Sequence, residues 1–316
     1  MTSVITDALF VTEALKICPE NQPFWYTSGL FGPYYINTHF LFGSEAEAKM
    51  LLQFIEKMAE KENREFLCKE LATICKIQYE KSEIYRSVID AAVAAVKDVV
   101  CDFISGGERR DYFFSVEIAR QLNKPHLTLF KDNQAWFSSA VTENAIRMDE
   151  RESRKTTEFE HNPKSFSEMA ESDFNQEEKA DIAESDLNLG RALHIADLIT
   201  EASSYTRNWI GSVAASGGKI TETLAIVDRC QGGIEILAQQ GIKATTLVQI
   251  SPVLFADARN KNLISHAQEK LLLDYYADPH QFVRNFLEKN PQYLDQQAKL
   301  DPKTAERVER LRNMKL

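Results

Sequence analysis

The chain has 316 residues, 44% of them hydrophobic and 27% charged, with a formal net charge of −10 and a pI near 5.3. That length suits one large or two modest soluble domains with ample core, and the acidic balance argues against a general nucleic-acid binder. Cys18, Cys68, Cys75, Cys101 and Cys230 are odd in number and lack C-x-x-C spacing, so free thiols in a reducing, cytoplasmic setting are expected rather than disulfides or zinc.

The chain starts without a basic leader, and no apolar run reaches membrane-spanning length, so no membrane partner is expected. Residues 4–18 read as a short helix with Leu9, Ala14 and Leu15 toward a core. From Thr27 to His39, two glycines and a proline make an ordered turn, and Tyr34-Tyr35-Ile36 continues as a strand. Taken alone, this segment is equally an aromatic hairpin that packs the fold. Ser44 to Glu47 forms a capping box. It opens a helix with Met50, Phe54 and Met58 as its stripe, backed by Leu51 and Ile55. Helices at about 64–79 and 82–99 follow, the second with Ile84, Val88, Ala91, Ala92 and Ala95 inward. None of these helices carries chemistry.

Residues 101–105 read as a strand running into Gly106-Gly107-Glu108-Arg109-Arg110-Asp111, with a helix from Tyr112 to Leu122. Arginines at a helix start oppose the macrodipole, which favours an anionic ligand there. The alternative is a surface cluster in which Glu108 and Asp111 pair with Arg109 or Arg110. A second strand, His126 to Phe130, ends at Lys131-Asp132, and Ala135 to Val141 suits an antiparallel third. Residues 143–186 hold 14 acids against 6 bases, without sustained period, and read as a flexible acidic insertion.

Arg191 to Ile199 is a mostly apolar run suited to a buried parallel strand, and it delivers one carboxylate, Asp197. Thr200, Glu201, Ala202, Ser203 and Ser204 form a small hydroxylated turn. An amphipathic segment with Trp209, Ile210 and Val213 on one side follows. Strand, acid, turn and helix in that order make an anion site, because the first helical turn has free N–H groups. The alternative is an ordinary βα unit with a capped helix. Residues 220–227 form a further strand, ending in Asp228-Arg229-Cys230-Gln231-Gly232-Gly233. The flat guanidinium of Arg229 suits a planar anion, or else pairs with Asp228. A helix at 234–240, a strand at 244–250 and tail helices at about 259–273, 279–289 and 302–313 complete the chain. Strands alternating with helices predict an α/β fold, a doubly wound, mostly parallel sheet. Residues 1–100 would form an N-terminal hood, 101–250 the core with its acidic insertion, and 251–316 a helical C-terminal extension. Ligands of such sheets bind at the carboxyl ends of the strands, where loops 106–111 and 197–204 and Arg229 all fall.

Several of these motifs resemble those of the type I phosphoribosyltransferases. Their diphosphate-sugar motif runs four apolar residues, two acids, two apolar residues and Thr-Thr-Gly-Gly-Ser. Here Ala196 replaces the first acid, Asp197 matches the second, Thr200 and Ser204 match the turn, and Glu201, Ala202 and Ser203 replace its middle. Ser28, Gly29 and Tyr35 resemble the amino-terminal substrate loop of orotate phosphoribosyltransferases, with Asn37 and His39 departing from it. Asp-Arg-x-x-Gly-Gly at 228–233 is similar to the segment where their arginine faces the pyrimidine.

The resemblance covers roughly residues 25–250 and implies an enzyme. It would transfer ribose-5-phosphate from phosphoribosyl diphosphate to a pyrimidine nitrogen, with orotate the expected base. It further implies Asp197 at the sugar, and Mg²⁺ held through Asp197 and the substrate. Residues 200–204 would sit at the 5-phosphate, with Arg109, Arg110 and Lys131 at the diphosphate. Ser28, Gly29, Tyr35 and Arg229 would be at the base, and a homodimer is expected. The family's mobile loop, with its Lys and His-Gly pair, has no counterpart among Arg147, Arg151, Arg154, Lys155 and His161. The lid is therefore remodelled, supplied by another subunit or absent. The competing expectation is a protein of this fold that binds a nucleotide without turnover.

Overall fold

The computed structural model describes residues 2–19, 21–139 and 188–314. The acidic stretch 143–186, and with it the question of a lid, lies outside them. Ten strands are present among the described residues. Four short ones precede the core: β1 (Leu15–Ile17), β2 (Phe24–Trp25), β3 (Phe31–Gly32) and β4 (Tyr34–Ile36). The main sheet contains β5 (Phe103–Gly107), β6 (His126–Leu129), β7 (Ala135–Ser138), β8 (Gly190–Ile199), β9 (Gly218–Asp228) and β10 (Lys243–Gln249), in the order β10-β9-β8-β5-β6-β7. All neighbours run parallel except β6 and β7, which are antiparallel. The expected mixed sheet, mostly parallel, is therefore present.

Alternation along β8 explains why both faces are covered. Leu193 and Ile195 enter one buried cluster, with the helices Glu45–Met58, Arg64–Lys81, Glu83–Val96 and Tyr112–Gln121. Ala192 and Ala196 enter the other, with Tyr205, Trp209, Val213 and Leu237. Each fully buried Leu or Ile side chain in such a layer contributes about 1.5–3 kcal/mol.

Three local expectations are corrected. The first helix stops at Val11 rather than running to residue 18. The Thr12 hydroxyl donates to the Ala8 carbonyl at 2.7 Å, Glu13 turns into the left-handed region (φ 55°), and β1 then pairs with β4. The expected helix 259–273 is two, Pro252–Asn260 and His266–Ala277. A capping box between Ser265 and Gln268 restarts the second helix. In Glu45–Met58 the buried stripe is Ala48, Leu51, Ile55 and Met58, leaving Met50 exposed, and in Glu83–Val96 it comprises Tyr85, Val88, Ile89, Ala91, Ala92 and Val96, leaving Ala95 exposed. A rotation of one residue decides which side of a helix meets the core.

The C-terminal helices cover the hood. Trp25 stacks on Tyr293 with centroids 6.2 Å apart, Phe31 meets Phe286 at 5.2 Å, and the Trp25 indole donates to Gln297 at 3.0 Å. No helix among the described residues is long and apolar enough to cross a membrane.

Candidate functional site

The parallel strands deliver their loops to one edge, as such sheets do. The loops after β5, β6 and β8 enclose a cleft of about 440 Å³ lined by Arg109, Arg110, Lys131, Asp197, Thr200, Glu201, Ala202, Ser203 and Ser204. Every residue expected at the sugar, the 5-phosphate or the diphosphate thus meets in one place.

The glycines of the first loop have a different part from the one expected. Gly106 and Gly107 are the end of β5 itself. A Cβ on Gly106 would collide with Ser115, and one on Gly107 with the ring of Trp209. They permit close packing, and the cations follow them. The Glu108–Arg109 peptide is cis. Arg109 forms an ion pair with Glu56, and Lys131 lies 3.3 Å from Glu108. Arg110 has no carboxylate partner among the described residues. The surface cluster that would tie these arginines to Glu108 and Asp111 is therefore absent.

The turn after β8 is braced from the next loop. The Arg229 N–H donates to the Ile199 carbonyl at 2.8 Å and the Gly233 N–H to the Thr200 carbonyl at 3.0 Å. A Cβ on Gly233 would fall 2.6 Å from that same carbonyl oxygen, so a glycine is required for the loops to touch. Ala202 adopts a positive φ of 50°, and its carbonyl accepts from Tyr205 and Thr206. A π-helical turn, Tyr205–Trp209, and the helix Ile210–Ala215 follow. Ser204 makes no side-chain cap, and the backbone carbonyl of Ala202 takes its place for the first N–H groups of the turn.

Asp197 sits beneath this turn. The Thr38 hydroxyl donates to its Oδ2, and its own N–H donates to Asp111 Oδ1 at 2.9 Å. Burial, then the charge of Asp111, push its carboxyl up to about 7, against the pull of Arg110 and the Thr38 hydrogen bond. His39 is buried, its Nδ1 has no hydrogen-bond partner among the described residues, and burial beside Arg110 and Arg109 lowers its imidazole to about 3.

None of the residues expected at a base lines this cleft. Arg229 lies over the rings of Tyr26 and Tyr34 at 4.6 and 5.3 Å, and its Nε donates to the Tyr34 hydroxyl at 3.5 Å. Tyr275, from the C-terminal helices, meets Tyr34 edge-on at 5.6 Å. Asp228 does not pair with Arg229; it accepts instead from the Cys230 N–H at 2.8 Å and from Gln249 at 3.4 Å. Ser28, Gly29 and Tyr35 are not brought to the cleft. Arg310 donates to the Thr27 carbonyl at 2.9 Å, and a Cβ on Gly29 would meet Arg310 Cβ at 2.8 Å. On β4, alternation buries Tyr34 toward Arg229 and turns Tyr35 to solvent.

Sequence reasoning passed over Thr38, Asp111 and the tyrosines around Arg229. An acid opening the helix after a glycine-arginine loop was a visible signal for Asp111. Thr38 and Tyr275 had none, since they reach the site only through the tertiary fold.

No family model matches the chain. Over 86 residues, 27% of its length, it is 29% identical to an orotate phosphoribosyltransferase of Sulfolobus acidocaldarius, a match spanning 43% of that protein. The Leishmania donovani UMP synthase structure superposes on 87% of the chain at 15% identity, with a TM-score of 0.51 and 42% of its own length covered. The chain thus spans less than half the length of either. By its mostly parallel sheet and this superposition the chain has the fold of the type I phosphoribosyltransferases, and over those 86 residues its sequence is similar to one of them.

Proposed function

We propose that the chain transfers ribose-5-phosphate from phosphoribosyl diphosphate to a ring nitrogen of a small planar base, a pyrimidine and foremost orotate. One observation carries this reading: Arg110, Asp197 and the 200–204 turn, from two different loops, line the same cleft. The reaction must stabilise a sugar cation as diphosphate leaves, so it needs fixed negative charge at the sugar and positive charge at the leaving group. Asp197 lies at the first position and Arg110 at the second. The N–H groups and hydroxyls of 200–204 hold the 5-phosphate, with Glu201 exposed at the cleft.

The donor set bears on Mg²⁺. Among the described residues no three metal-ligating side chains cluster, and the acids at the cleft suit an ion held largely by water and substrate oxygens. Such an ion supplies charge neutralisation to the departing diphosphate.

A second reading, nucleotide binding without turnover, is favoured by Ala196 and by the tyrosines already occupying Arg229. Diphosphate release, measured with phosphoribosyl diphosphate, Mg²⁺ and a panel of bases, separates the two. Release with orotate is the expected result. Binding of phosphoribosyl diphosphate with no release for any base establishes the second reading, and no binding at all defeats both.

A further inference from the structure

Strand β8 brings a single carboxylate to the cleft, because Ala196 precedes Asp197 where a second acid would double the charge facing the sugar. Another element supplies a carboxylate at the same spot. Asp111, at the start of the helix Tyr112–Gln121, also lines the cleft although only 8% of its surface is exposed. Its Oδ1 accepts the Asp197 N–H at 2.9 Å, and its Oδ2 accepts the Gly107 N–H at 3.0 Å. The side chain is thereby fixed between the ends of β5 and β8, with one lone pair of each oxygen still available.

A separate observation marks this as a site rather than a loop fastening. His194 is fully buried, and its Nε2 has no hydrogen-bond partner among the described residues. That nitrogen stands 3.7 Å from Asp111 Oδ2, while Nδ1 lies 2.9 Å from the Ser105 hydroxyl. A polar atom buried without a partner costs free energy, so its retention beneath the carboxylate calls for a reason. A carboxylate that shifts slightly on taking a ligand would bring Nε2 within hydrogen-bonding range.

Resting on the phosphoribosyl reading, we infer that Asp111 is the second carboxylate of the sugar subsite, accepting a ribose hydroxyl in place of the acid absent at position 196. Two carboxylates close together repel when the cleft is empty. A polyhydroxylated ligand relieves that repulsion by donating to both.

The test uses ribose 5-phosphate as the probe, by calorimetry and by a crystal structure of the wild-type complex. Asp111→Asn keeps the shape but loses one acceptor, and should weaken binding by roughly tenfold or more, the scale of a hydrogen bond to a charged group. It should not weaken inorganic diphosphate, which has no ribose hydroxyls to lose and gains from removal of a negative charge beside Arg110. In the complex, a ribose hydroxyl should lie within hydrogen-bonding distance of Asp111. Hydroxyls on Asp197 alone, or a folded Asp111→Asn that binds ribose 5-phosphate as the wild type does, would overturn the inference and leave the phosphoribosyl reading standing. A wild-type chain that binds neither ribose 5-phosphate nor phosphoribosyl diphosphate overturns both. Because the crystal structure needs no variant, a failure of Asp111→Asn to fold does not remove the test.

Discussion

The hydroxyl of Thr38 donates to the carboxylate of Asp197 across 159 residues of chain, and so ties the hood to the end of β8. This contact stabilises the charged form of the acid, opposing burial and Asp111. Thr38→Val keeps the shape and removes the donor. If a charged Asp197 is needed at the sugar, the rising limb of the pH–rate profile moves to higher pH in the variant. An unmoved limb would show that the contact is structural only. The lost hydrogen bond should lower stability by about 1 kcal/mol.

Asp197 itself sets a pH dependence of stability with an unusual sign for an acid. Its carboxyl is raised to about 7 in the folded chain, with burial the largest cause, against about 3.9 for an unperturbed Asp. Between those values the native state holds a proton that the unfolded state has released. The contribution of this group is therefore fully present below about pH 4 and is lost as pH rises to about 7. Thermal melts of the wild type and Asp197→Asn from pH 4 to 8 should diverge in this window, the wild type losing more. Parallel curves would remove Asp197 from the titration. In turnover, Asp197→Asn should cost on the order of 10²-fold or more if the carboxylate acts mainly in the transition state.

The three cations of the cleft are not equivalent. Arg109 is engaged by Glu56 and Lys131 by Glu108, whereas Arg110 has no such partner among the described residues. Arg110→Ala should therefore weaken inorganic diphosphate most, by roughly tenfold or more, on the scale of a hydrogen bond to a charged group. Arg109→Ala should cost less, and Glu56→Gln, which releases Arg109, should tighten binding. Equal losses for the two arginines by calorimetry would count against this division.

The parallel sheet could be read from apolar runs bounded by turn residues, because a strand buried on both faces writes its environment into consecutive positions. The cleft could be read too, since Asp197 and residues 200–204 are neighbours in sequence and the carboxyl edge of the sheet collects such loops. What escaped depends on the third dimension. Ser28 and Gly29 carry a fitting pattern, yet Arg310 and the C-terminal helix occupy their surroundings. Tyr34, not Tyr35, reaches Arg229, a distinction set by the phase of a three-residue strand. Gly233 looked like part of a base-reading segment, and its packing on Thr200 makes it a brace for the 200–204 turn.

The last prediction concerns Arg229, whose guanidinium is held against Tyr26 and Tyr34 with Tyr275 beside them. Cation–ring contacts of this kind contribute about 0.5–2 kcal/mol each, so Arg229→Ala should lower the melting temperature as well as any base affinity. The two effects separate kinetically. A base carrying a carboxylate must have that charge paired once water is excluded. Arg229→Ala should then raise the apparent constant for orotate, by roughly 2–5 kcal/mol of lost binding, while sparing that for phosphoribosyl diphosphate. Arg229→Lys should restore only part of it, because an ammonium lacks the two-pronged fork. Tyr275→Ala tests the neighbouring ring from the other side. It leaves the guanidinium in place but opens space beside it, so it should alter the base constant and again spare phosphoribosyl diphosphate. Equal weakening of both substrates in either variant would mean that this cluster holds the hood to the C-terminal helices and reads no base.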